Sequence, residues 1–140
     1  MSAKEPVVAR EAADEEFERW VDAMGLAPKL DPVSLDDDDK KALAAQKNLI
    51  LHAIMDGRLV LDGECQFVYT PVTGVREPLT FHEPTGASLM ASDNVAAGKS
   101  VTKQFRALAD ITRSTVQRFA TMKNRDLEVC NAIIALFLAT

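Results

Sequence analysis

Two stretches of this 140-residue chain carry residue types spaced as chemistry would need them. The first, Asp93-Asn-Val-Ala-Ala-Gly98-Lys99-Ser100, ends like a phosphate-binding loop, whose backbone amides and lysine cradle phosphate oxygens. Asp93 stands where the first glycine of such a loop belongs, its charge would repel phosphate, and no apolar strand precedes it. Gly98 therefore reads as a turn residue and Ser100 as the cap of a helix. The second stretch, Asp36-Asp-Asp-Asp39, offers four carboxylates. Calcium loops alternate their ligands with spacers and a glycine so that the oxygens converge, whereas consecutive residues at a helix start point around the axis. These acids read as a solvated first turn that meets the positive end of the helix macrodipole.

Soft ligands and nucleophiles are few. Cys65, His52 and His82 are scattered and lack the two close pairs of a structural zinc site, so no metal is expected. Cys65 falls within a strand-like run and Cys130 on an apolar helix face, positions where a thiol behaves as an inert core residue. Nothing matches a nucleophile elbow or a paired acid and base. The expectation is a chain with no catalytic residue and no cofactor, which acts by binding other proteins.

The elements that must position such a function follow from hydrophobic period. From Ala9 the pattern turns helical: Phe17, Trp20, Val21 and Met24 fall at i, i+3, i+4 and i+7, one apolar stripe, and Gly25 is a natural stop. Pro28 and Pro32 make residues 26–33 read as a linker, which sets residues 1–33 apart as a helical arm. The stripe needs a partner, either its own core or another chain. The reach of the linker favours a neighbouring subunit or client, with Phe17, Trp20, Val21 and Met24 as contact residues. Ser34 is placed to cap a second helix carrying Leu43, Ile50, Leu51 and Ile54, which ends at Asp56-Gly57.

There the period switches from 3.6 to 2. Residues 58–61 and 64–70 flank Asp62-Gly63, the pair suited to a type I′ hairpin turn, so a hairpin is expected over about 58–70 with positive φ at the tip. Leu79-Thr-Phe81 reads as a third short strand. Beyond it the pattern is helical over about 85–138: a short helix near 87–91, one from Ser100, a break at 112–114, another turn or two at 115–121, and a last helix begun by Asn124. That last helix carries Leu127, Cys130, Ile133, Ile134, Phe137 and Leu138 and reads as the most buried. The fold class is α+β, mostly helical, with a small antiparallel sheet packed against C-terminal helices in one domain over 34–140.

Composition narrows the partners. A net charge of −5 and a pI near 5.0 disfavour nucleic acid, whose backbone calls for clustered Lys and Arg. No stretch approaches the roughly 18 apolar residues of a membrane helix, and Met1-Ser-Ala-Lys-Glu5 has no apolar leader run, so a cytoplasmic location is expected.

Over about residues 59–138 the chain resembles the small tail assembly chaperones of tailed bacteriophages, in particular of Mu-like phages. The resemblance lies in Leu79-Thr-Phe81 running into Glu83-Pro84-Thr85-Gly86, which opens a helix. It continues in the leucine-containing segment Phe105 to Thr112, a short break, residues Val116 to Met122, then Asp126-Leu-Glu-Val129 and Phe137-Leu138. Where the family's break usually carries Thr-Gly, Thr112 is followed by Arg113. The resemblance implies a non-enzymatic chaperone of the host cell cytoplasm that binds the tape-measure and tail tube proteins during tail morphogenesis. It would be absent from the finished particle, with Glu83, Pro84, Thr85 and Leu89 as candidate client contacts and a homo-oligomer as a further expectation. The alternative is a structural virion or adaptor protein retained in the particle.

Overall fold

A computed structural model of the chain describes residues 7–27, 33, 35–86 and 100–138. Among these are five helices and one three-stranded sheet: α1 (Arg10–Ala23), α2 (Asp37–Met55), β1 (Leu59–Leu61), β2 (Phe67–Tyr69), β3 (Leu79–Phe81), α3 (Ser100–Thr112), α4 (Val116–Ala120) and α5 (Asn124–Leu138). The architecture is α+β and mostly helical, as the change of period implies. The helix expected near 87–91, Leu89, and the phosphate-loop-like residues 93–99 lie outside the described residues, and Ser100 is the first residue of α3.

The strands form an antiparallel meander in the order β1-β2-β3, with Leu59 opposite Tyr69, Leu61 opposite Phe67, Phe67 opposite Phe81, and Tyr69 opposite Leu79. Alternation puts Leu59, Phe67, Tyr69, Leu79 and Phe81 on the buried face. Val60, Val68 and Thr80 form the other row, with Val60 exposed. Helix α5 supplies the largest helical share of the core through Val129, Cys130, Ala132, Ile133, Ile134, Leu136 and Phe137, and packs on α2 and α3.

The first helix is not a free arm. Phe17, Trp20 and Val21 are buried in the same core as the sheet and α5, and Met24 is partly buried against it. The Trp20 ring stacks on Phe67 of β2 at 4.7 Å between centroids and meets Phe137 of α5 edge-on at 5.1 Å. Such aromatic pairs add to the area that Trp20 buries. Separation into a 1–33 arm and a 34–140 domain therefore fails at α1, which is a core element. Periodicity specifies that a stripe must be covered, and the complementary aromatic surface of β2 and α5 covers it within the chain.

Two local expectations are also corrected. Asp36 caps α2, in an extended conformation, its carboxylate accepting from the Asp39 amide at 2.8 Å. Aspartate serves this role as well as serine, and the cap must directly precede the first helical residue. In the hairpin, the positive φ falls on Cys65 (57°) and not on Gly63. The Asp62 carboxylate accepts from the amides of Glu64 (2.8 Å) and Gln66 (3.0 Å), and the Cys65 amide donates to the Asp62 carbonyl at 3.1 Å. Asp62 thus closes a three-residue loop whose last residue is left-handed, in place of a two-residue type I′ turn.

Three helices end in the same hydrogen-bonded motif. Gly25 and Gly57 take the left-handed position after α1 and α2, with Leu26 donating to Val21 and Arg58 to Ala53. After α3 that position is held by Arg113, φ 53°, with Ser114 donating to the Ala109 carbonyl. Arg113 thus takes the backbone shape that glycine favours.

Candidate functional site

Asp126 sits in the first turn of α5 and is completely buried. A buried carboxylate is costly unless every lone pair is used. Here one oxygen, Oδ1, accepts from the Tyr69 hydroxyl at 2.6 Å and the Val72 amide at 3.0 Å. The other accepts from the Thr73 amide at 2.8 Å and from the Thr73 hydroxyl. Burial pushes the Asp126 carboxyl up, but the donors from Thr73, Tyr69 and Val72 outweigh it and hold the group below the usual carboxylate range. Burial, then the hydrogen bond to Asp126, raises the Tyr69 phenol, which stays protonated and donating.

The network reaches further on both sides. Arg58 donates to the Tyr69 oxygen at 2.9 Å and pairs with Asp56 at 3.0 Å. The Thr73 hydroxyl accepts from the Lys123 amide at 2.9 Å, so it satisfies an amide just before α5 begins. A second anchor comes from α4, where Arg118 donates to the carbonyls of Glu77 (2.6 Å) and Val75 (3.3 Å). Gly74, φ 66°, lies so close to α4's end that a Cβ would meet the Thr121 carbonyl oxygen at 3.1 Å.

The segment joining β2 to β3, residues 70–78, is thereby held at Val72, Thr73, Gly74, Val75 and Glu77. It presents Val72 (38% exposed) and Val75 (46% exposed) to solvent. The loop backbone is thus ordered within the folded chain, with Val72 and Val75 beside the exposed Arg76 and Glu77.

The residues singled out from the sequence are dispersed. Phe17, Trp20 and Val21 are interior, so they are not contact residues of the folded chain; the stripe that suggested an interface is core. Glu83 and Thr85 are exposed and Pro84 is half-buried, directly after β3. His52 lies exposed on α2, Cys65 in the hairpin loop and His82 after β3, and no group of three His, Cys, Asp or Glu among the described residues could hold a metal ion. Burial pushes the Cys130 thiol up to about 12. No described helix is long and apolar enough to cross a membrane.

Tyr69, Thr73, Arg118 and Asp126 carry the loop; of these the sequence singles out only Asp126, within Asp126-Leu-Glu-Val129, and without this role. Asp126 reads there as one more acid in a helix's first turn, and its partners lie more than fifty residues away. Comparison with protein-family models, curated proteins and solved structures finds no match.

Proposed function

We propose that this chain is a non-enzymatic, protein-binding assembly factor: a phage tail assembly chaperone that holds tape-measure or tail tube protein in the host cytoplasm before assembly. The observation that carries the protein-binding reading is the doubly anchored 70–78 loop with Val72 and Val75 at its surface. The buried Asp126 carboxylate fixes a loop that carries Val72 and Val75 outward beside the exposed Arg76 and Glu77, an arrangement suited to a mixed apolar and charged contact with a client. The resemblance over residues 59–138 supplies the identity of the client. Glu83 and Thr85, exposed beyond β3, extend the contact surface in this reading.

Co-expression with the tape-measure and tail tube proteins, followed by co-purification, tests the proposal. Val72→Asp/Val75→Asp should lose the client while keeping the wild-type melting temperature, because both side chains are solvent-facing. Capture of either client undiminished by the double substitution overturns the role of the loop. Detection of the chain at stoichiometric level in purified particles by mass spectrometry overturns the chaperone reading in favour of a virion component.

A further inference from the structure

Two exposed helical faces of the molecule, on α1 and α3, carry opposite net charge. On α1, Glu11, Glu15, Glu18 and Asp22 recur at i, i+4, i+7 and i+11, and all four are exposed. They form a stripe about 16 Å long at 1.5 Å per residue, opposite the Ala13, Phe17 and Trp20 side that is buried. Arg19 lies at its edge, and Glu18 shares Lys47 with Asp14, at 3.6 Å and 3.0 Å. On α3, Lys103 and Arg106 recur at i and i+3 on the exposed side, followed by Asp110, and Arg113 sits exposed just past the helix end.

The basic stripe is also a shaped surface. Arg106, Asp110 and Arg113 line a groove of about 340 Å³ with Ala109, Ser114 and Val116. The side chains of Lys103, Arg106 and Arg113 make no ion pair or hydrogen bond among the described residues, and the same holds for Glu11, Glu15 and Asp22. Within one chain α1 packs on α2, while α3 packs on α4, α5 and β3, so neither stripe covers the other. The position of Arg113 adds to this. Its backbone takes the left-handed conformation that glycine fills after α1 and α2, and its side chain lines the groove beside Arg106.

We infer that the chain associates with a second copy of itself head to tail, the acidic stripe of α1 seating along the basic groove of α3 on the next molecule. The surfaces joined are different on the two partners, so the contact is heterologous, and repetition produces a ring or an open chain. Opposed exposed charges give such a contact its register and a strong dependence on ionic strength. The inference is independent of the client and of the 70–78 loop.

Sedimentation of the full chain at low salt and at about 1 M salt, where the Debye length is only about 3 Å, gives the first readout. Association at low salt should weaken at least about tenfold in the higher salt, as for a contact of solvent-exposed charges. The decisive readout uses two variants. Glu11→Lys/Glu15→Lys/Asp22→Lys makes both stripes basic, and Lys103→Glu/Arg106→Glu makes both acidic. Each alone should sediment as a monomer, while the equimolar mixture should re-associate, because each variant now complements the other. Far-UV circular dichroism melts confirm that both are folded. Should a reversal lower the melting temperature, Glu11→Gln/Glu15→Gln and Lys103→Gln/Arg106→Gln serve instead, each expected to weaken self-association. A wild-type chain that is monomeric at low salt, variants that associate as wild type does, or folded reversal variants that stay monomeric when mixed would each overturn the inference.

Discussion

Asp126 concentrates more of the tertiary structure than any other single side chain, since four donors from β2 and the following segment converge on its carboxylate. Asp126→Asn keeps the shape but turns an acceptor into a donor facing donors, and should cost about 3 kcal/mol by urea denaturation, in the range for a buried hydrogen bond to a charged group. The acid limb of the stability curve follows from the same group. Its carboxyl is held below the ordinary value in the folded state, so it stabilises the fold above the unfolded pKa of about 3.9. That contribution is lost as pH falls through the lower folded value. Wild type should therefore lose more stability than Asp126→Asn between about pH 5 and pH 2. Equal acid sensitivity would mean that the carboxylate is not buried in the network. At the hairpin, the left-handed residue is Cys65, and Cys65→Gly should raise stability by about 0.5–1 kcal/mol, the strain relieved less the extra freedom of glycine in the unfolded chain. Gly63→Ala, by contrast, meets open space at ordinary φ and should change the melting temperature little. The reverse order would restore the two-residue turn.

Among the elements, α1 decides whether the amino-terminal residues are an appendage or part of the fold. Trp20 is fully buried between Phe67 and Phe137, so Trp20→Ala should cost about 3–5 kcal/mol, the usual loss for an aromatic deleted from a core. A loss below about 1 kcal/mol by chemical denaturation, a value usual for surface substitutions, would show that the helix undocks freely. Helix α5 occupies the centre from the other side. Ending the chain after Asn124 removes Val129, Ile133, Ile134, Leu136 and Phe137 from the core. Each contributes about 1.5–3 kcal/mol against a total stability of 5–15. The truncated chain should show no cooperative thermal transition. Both elements were legible as amphipathic or apolar helices from spacing alone, and the three strands from their alternation of Leu, Val, Phe and Tyr. Which helix touched which strand was not, because a stripe fixes an orientation toward a core without naming the opposite wall.

At the scale of the molecule, one core runs from Ala13 to Phe137 and encloses the sheet's inner face. The sequence by itself determined the class of the fold: periods of 3.6 and 2, the stops at Gly25 and Gly57, the break after Thr112 and the apolar last helix are local signals, set by backbone sterics and side-chain patterning within a turn or two. It also determined that the four aspartates at 36–39 lie at the start of a helix, though the cap falls on Asp36 and not on the expected Ser34. The tertiary structure decided three things that no local signal carries. It placed Trp20 against Phe67 and Phe137, which turned an apparent docking stripe into interior. It put the left-handed residue of the hairpin at Cys65, since the Asp62 side chain outcompeted the two-residue turn for the loop amides. And it brought Asp126 under Tyr69, Val72 and Thr73, whose sequence separation of more than fifty residues hides a hydrogen-bond network that exists only once the sheet and α5 have met.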